Sequence, residues 1–175
     1  MMIFILMLLL VPLCAQSAIL QVAPDGTQPY TSIQSAINTA IDQDTILVHP
    51  GRYYENIVIS DRQLTIGSLE LINGDSTYIA QTIVDGNQNG SCFHINNNST
   101  VSIQGFYLTK GIGTPSYNWG DRIGGAIYAF ESEISVINCL IIDNKAVSGA
   151  GLFFCYSSGY LAGTTITDNW GKECG

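Results

Sequence analysis

The chain has 175 residues, of which 46% are hydrophobic, only 11% are charged and 18 are glycine. Fourteen acidic against six basic residues give a net charge of −8 and a pI of about 4.3, which argues against nucleic-acid binding and docking on anionic lipid heads, since both need a basic surface. β-branched and aromatic residues are too abundant for a disordered chain, and glycine is too abundant for a coiled coil.

Residues 3–13 form an apolar run interrupted only by Pro12. As a helix of about eleven residues it would reach roughly 16 Å, too short for a bilayer core of about 30 Å. Cys14-Ala15-Gln16-Ser17-Ala18 follows as a small and polar cleavage zone. The pattern predicts a signal peptide over 1–17, although Met1-Met2 supplies no Lys or Arg. A buried strand or helix is the alternative, and a lipid anchor on Cys14 is disfavoured by the bulky Leu13 before it. No later run approaches transmembrane length. The expectation is a secreted, extracellular or cell-surface protein, with outer-membrane association as the surface variant and no transmembrane helix in the mature chain. Cys92, Cys139, Cys155 and Cys174 match no zinc or redox spacing. They read either as disulfide partners after export or as small apolar fillers of a core.

A short strand is expected at Val22-Ala23-Pro24, then a turn at Asp25-Gly26. Between Tyr30 and Ile41 the apolar residues fall at 33, 36, 37, 40 and 41, the stripe of an amphipathic helix. Thr31 with Gln34 has the form of a capping box. No other convincing helix follows. Short β-type runs come next, at 45–48, 57–59, 64–66, 82–84, 101–103, 106–108, 134–136 and 140–142, punctuated by Gly, Asn, Asp and Ser.

A repeat decides how these strands are arranged. Gly124-Gly125-Ala126-Ile127-Tyr128 matches Gly149-Ala150-Gly151-Leu152-Phe153 at an offset of 25 residues. The same offset brings Ser132 to Ser157, Val136 to Leu161, Ile141 to Ile166 and Asp143-Asn144 to Asp168-Asn169. An earlier copy aligns Ser102, Ile103 and Leu108 with Ser135, Val136 and Ile141 at an offset of 33, the excess lying in a loop over 111–121. Such a period marks a solenoid. With strands and no helix in each repeat, the fold class is all-β: a parallel β-helix over 20–175 with an N-terminal capping α-helix. Successive coils would lie about 4.8 Å apart, stacking like residues into apolar, asparagine and glycine columns. The helix would hide the unpaired edges of the first coil.

The phrases Val22-Ala23-Pro24-Asp25-Gly26, Tyr30-Thr31-Ser32-Ile33-Gln34-Ser35-Ala36-Ile37 and Val48-His49-Pro50-Gly51-Arg52-Tyr53-Tyr54-Glu55-Asn56 resemble the N-terminal entry of the pectin-lyase-like right-handed parallel β-helix. Thr82-Ile83-Val84-Asp85-Gly86-Asn87 and the Gly-Gly-Ala-Ile-Tyr repeats resemble bacterial secreted or surface β-helix repeat proteins, including polymorphic outer-membrane proteins of the autotransporter type. The resemblance covers nearly all of 20–175. It implies a right-handed helix and leaves activity open, because the superfamily contains lyases, hydrolases, esterases and adhesins.

The catalytic sets of those enzymes have no counterpart. The Gln-rich stretches of pectin methylesterases are missing, and neither His49 nor His94 sits in the Gly-His-Gly loop of polygalacturonases; both read as structural histidines. Asp143 and Asp168 share one column, so as neighbours about 4.8 Å apart they are the candidate calcium ligands. The competing reading is that Asp-Asn is good bend chemistry, and it serves for Asp85 too. Lys110 and Arg122 flank the 111–121 loop without an acidic cluster nearby. Tyr117 and Trp119 in that loop, with Arg122, are the candidate ligand-binding residues, since aromatic rings stack on sugars and loops on rigid scaffolds carry binding. The alternative is that the loop aromatics pack on the wall of the helix.

The expected function is a secreted or cell-surface protein with a non-catalytic structural, adhesive or glycan-binding role, partnered by a polysaccharide or cell-surface glycan. The alternative is a polysaccharide-processing enzyme, lyase or glycoside hydrolase, for which the fold alone speaks. The chain stops after a bend at Trp170-Gly171-Lys172-Glu173-Cys174-Gly175 with no polar cap. This predicts a fragment of a longer protein, or an end-to-end contact through the uncapped C-terminal coil.

Overall fold

The computed structural model describes residues 16–116 and 120–174; the predicted signal segment, apart from residues 16 and 17, and the loop residues Tyr117 and Trp119 lie outside them. The chain is mostly strand. In order it forms β1 (Ile19–Val22), α1 (Ile33–Thr39), β2 (Thr45–Val48), β3 (Gly51–Tyr54), β4 (Ile57–Ser60), β5 (Gln63–Ser68), α2 (Glu70–Asn73), α3 (Thr77–Gln81), β6 (Thr82–Asp85), β7 (Phe93–Asn96), β8 (Thr100–Gln104), β9 (Tyr107–Thr109), β10 (Thr114–Pro115), β11 (Arg122–Ile123), β12 (Ile127–Phe130), β13 (Glu133–Ile137), β14 (Leu140–Ile142), β15 (Lys145–Ser148), β16 (Leu152–Cys155), β17 (Ser158–Ala162), β18 (Thr165–Thr167) and β19 (Trp170–Cys174).

Strands close in sequence go to different sheets, and each pairs in parallel with its equivalent one circuit later. The first sheet runs β1-β2-β5-β8-β13-β17, the second β3-β6-β9-β14-β18 and the third β4-β7-β12-β16. A fourth holds β10-β11-β15-β19, in which β10 and β11 form a small antiparallel ribbon. The expected registers are present: Ile127 beside Leu152, Ile141 beside Ile166 and Val136 beside Leu161, and Ser102 beside Ser135 and Leu108 beside Ile141. Unequal circuit lengths come from excursions. Thr45 pairs with Thr65, 20 residues on, but Gln63 pairs with Thr100, 37 on, because α2 and α3 are inserted. These two short helices are absent from the sequence reading. At four and five residues they are too short to show a helical period, and their helicity depends on tertiary contact.

Alternate residues of the strands in the middle circuits point into one continuous core. Ile46, Ile66, Ile103 and Val136 fill it from the first sheet, Val84, Leu108 and Ile141 from the second, and Ile57, Phe93 and Ile127 from the third, all fully buried. Cys92 and Cys139 are free, buried thiols, and burial raises Cys92 to about 12 and Cys139 to about 11. They are apolar fillers with no thiolate chemistry near neutral pH. Cys155 is likewise free and half-buried.

The bends stack as well. Left-handed residues recur at Asp61, Asn98, Glu131 and Tyr156 between the third and first sheets, and at Lys110, Asp143 and Asp168 after the second. Asn144 is fully buried. Its amide donates to the carbonyls of Leu108 and Ile142 and to Asn169 Oδ1, and its own Oδ1 accepts the Gly111 N–H. One side chain thus satisfies backbone groups that the bend takes out of the ladder.

α1 differs in detail from expectation. Its N-cap is Ser32, which accepts the Ser35 N–H, and the Thr31–Gln34 capping box does not form. The Glu55 carboxylate takes the Ile33 and Gln34 N–H groups at 2.8 and 2.9 Å, a favourable place for an anion. Gln34 instead reaches across to β4, accepting the Val58 N–H and donating to the Val58 carbonyl. It acts as one residue of a missing neighbouring strand. The helix ends at Thr39, so Ile33, Ala36, Ile37 and Ala40 are buried while Ile41 remains exposed.

Two predictions follow from the packing. A methyl group at Gly125 would stand 2.0 Å from the Ala150 carbonyl oxygen in the next circuit. Gly125→Ala should cost about 3 kcal/mol, read as a lower denaturant midpoint. His94 stacks on Tyr128 at 4.9 Å, and burial lowers its pKa from the ordinary 6.5. The unfolded chain therefore binds the proton more readily, and His94 weakens the fold as pH falls below about 6.5. Replacing it in His94→Phe should flatten the fall in melting temperature between about pH 7 and 5, before carboxylates titrate.

Candidate functional site

A shallow concave surface lies on the outer face of the first sheet. Inward residues of β5, β8 and β13 fill the core, so their neighbours must face out. They form columns. One contains Gln63, Thr100, Glu133 and Ser158, and the next Thr45, Thr65, Ser102, Ser135 and Tyr160. A third contains Leu47, Gly67, Gln104, Ile137 and Ala162. Adjacent side chains in a column are about 4.8 Å apart.

The α2–α3 insert lies against the third column. A methyl group at Gly67 would meet Leu71 Cδ2 at 2.7 Å, so glycine there is what lets Leu71 lie on the sheet. Glu70 is buried, and its carboxylate accepts Gln104 Nε2 at 2.9 Å and Asn138 Nδ2 at 2.8 Å. The other two columns stay open as a shallow groove of about 420 Å³, floored by Thr65, Thr100, Ser102, Ser135 and Ser158. Gln43 and Gln63, joined by an amide–amide hydrogen bond, lie towards one end, and Tyr160, 62% exposed, towards the other. Around the bend the groove meets a second concavity of about 450 Å³ that shares Thr100, Glu133 and Ser158 and adds Asn98, Glu131 and Tyr156. Hydroxyls, amides, two carboxylates and two tyrosines make up this surface. It can exchange many hydrogen bonds with a polyhydroxylated chain and stack on its apolar ring faces.

The site residues expected from sequence are elsewhere. Tyr117 and Trp119 lie outside the described residues. Arg122 donates from Nη1 to the Gly113 and Asn89 carbonyls at 2.8 and 3.1 Å, pinning the base of the β10–β11 ribbon. Asp143 and Asp168 occupy equivalent left-handed bend positions, both exposed. Among the described residues no three His, Cys, Asp or Glu side chains gather closely enough to hold a metal ion. Asp85 is buried and pairs with Arg52 at 2.5 Å, with Lys110 Nζ at 3.9 Å; it also accepts the Asn87 N–H. Those contacts tie three circuits together at a bend. His49 bonds Gln21. Among the outward rings on the third sheet, His94 stacks on Tyr128, and Tyr128 meets Phe153 at a tilt of 58°.

The groove residues went unnoticed in the sequence because an outward Ser or Thr in a strand reads as ordinary surface. The signal that could have found them was the alignment itself, which puts Thr100, Glu133 and Ser158 in one column and Ser102, Ser135 and Tyr160 in another. No protein-family model, curated protein or solved structure matches the chain.

Glu70 is the anchor that keeps the insert beside the groove. Glu70→Ala should cost about 2 kcal/mol, through the orphaned amides of Gln104 and Asn138, and should expose residues 69–81 to limited proteolysis at a rate well above that of the parent protein.

Proposed function

We propose that the chain is a secreted or cell-surface right-handed parallel β-helix of the pectin-lyase-like kind, with a non-catalytic role, and that it binds a glycan along the groove of the first sheet. The right hand is favoured because strand-to-strand crossovers in parallel sheets are right-handed in about 98% of cases. The observation that carries the binding role is the pair of open columns, with hydroxyl groups at a regular step and Tyr160 at one end. A glycan chain presents hydroxyls at a similar repeat, and a groove built on paired strands is pre-organised for it, so little ordering cost opposes binding. Export is inferred from the apolar segment at 3–13 and the small residues after it.

Binding to an immobilised glycan panel is the expected result, followed by titration with the best oligosaccharide. Tyr160→Ala should weaken that affinity about tenfold or more, and Ser135→Val by a few-fold, with melting temperatures unchanged because both side chains face solvent. Release of reducing ends or unsaturated products from uronans or neutral polysaccharides, with or without calcium, would instead favour the polysaccharide-processing reading. A panel with no bound glycan would remove the binding role.

A further inference from the structure

Asp44, just before β2, is a buried carboxylate with no cation beside it. It is 3% exposed. Its Oδ1 accepts the Ala18 N–H at 2.7 Å and its Oδ2 the Ile41 N–H at 2.9 Å. The ion pairs among the described residues join Arg52 and Lys110 to Asp85, the other deeply buried aspartate at 1% exposure. Asp85 thus has two cations, and Asp44 rests on two neutral amides. A buried charge held that way is costly to keep, and a positive group at either amide would offset the cost.

Position singles out the Ala18 nitrogen. The Ala18 carbonyl accepts the Thr45 N–H at 2.9 Å, and Ile19–Val22 then pair with Thr45–Val48. The ladder therefore begins at Ala18, while Gln16 and Ser17 are exposed and belong to no strand. The sequence marks the same place. Ala15-Gln16-Ser17 has the small–any–small form that an export peptidase reads, and the bond after it is Ser17–Ala18. A cut after Ala15 would put the bulky Leu13 where the first small residue belongs. A cut after Ala18 would remove the groups that bond Asp44 and Thr45.

We infer that export processing cuts the Ser17–Ala18 bond and that Asp44 is the receptor for the amino group so formed, fastening the first strand of the mature protein. Hydrolysis consumes one water. The Ser17 carbonyl leaves as a carboxylate, and the nitrogen stays on Ala18 as an amine. An α-amine titrates near about 8, so it is mostly an ammonium at neutral pH. One N–H still points at Asp44 Oδ1, and the bond becomes charge-assisted, roughly twice as strong as its neutral form. Ala18 is exposed, so the remaining hydrogens reach water. This rests on the reading of residues 1–17 as an export signal and gives the cut a structural consequence.

The test begins with the full chain in an exporting host. The mass of the exported protein should place Ala18 first. Its melting temperature is then compared with that of a chain still carrying Gln16 and Ser17, released from a cleavable fusion. The form with the free Ala18 amine should melt about 2–4 °C higher. Asp44→Asn keeps an oxygen acceptor and removes the charge, so the gap between the two forms should vanish in that variant. If Asp44→Asn does not fold, the gap between the two parent forms still decides.

An exported protein that starts at another residue overturns the processing assignment and leaves export intact. An Ala18 start with no gap in melting temperature, or a gap that survives Asp44→Asn, overturns the role of Asp44. A chain that stays inside the host with residues 1–17 attached removes the export reading as well.

Discussion

Strands in the middle circuits of this protein satisfy their backbone by pairing with the circuit before and the circuit after them. A parallel ladder has no local partner, so a strand that slips by one residue turns its core side chains outward. Register is therefore the constraint on which the rest depends. It places Ile57, Phe93, Ile127 and Leu152 in one inward row and forces the residues between them into outward columns. The bends obey the same rule. Asn144 can bond Gly111, Leu108 and Asn169 because those groups lie directly below and above it.

The first described circuit is covered by a helix, and the contacts are specific. α1 lays Ile33, Ala36 and Ile37 on the core, and Gln34 presents a donor and an acceptor to Val58 where another strand would have stood. Glu55, from the loop between β3 and β4, caps the helix in return. In the last described circuit, Leu161 and Ile166 occupy core columns and are 42% and 43% exposed. The difference between these residues and their fully buried equivalents Val136 and Ile141 is the absence of a further described circuit over them.

Rigid columns also explain how a concave surface can arise without long loops. In most scaffolds loops carry the specificity. Here the outward positions of β5, β8, β13 and β17 repeat at the strand spacing, and substitution in one circuit changes one rung of the groove. The α2–α3 insert, held by Glu70, decides which columns stay open. Charge is distributed unevenly between the faces. Arg52, Asp85 and Lys110 neutralise one another at one bend, while Glu131 and Glu133 stand exposed at another.

Much of the fold was legible in the sequence. The offset of 25 residues, the alternating strands and the Asn and Gly positions all follow from stacking, which constrains each residue by its chemical likeness to the one a circuit away. The helical stripe at 33, 36, 37, 40 and 41 was equally plain, although the helix ends at Thr39 and leaves Ile41 exposed. What tertiary structure alone decided is every contact between residues that are unlike each other and far apart in sequence: Glu55 capping α1 in place of Thr31, Gln34 completing a sheet edge, Leu71 seated on Gly67, and Arg122 spent on carbonyls. The groove belongs to the same group. Serines and threonines in strands are unremarkable one by one, and they become a surface only where register lines them up and the insert leaves them uncovered.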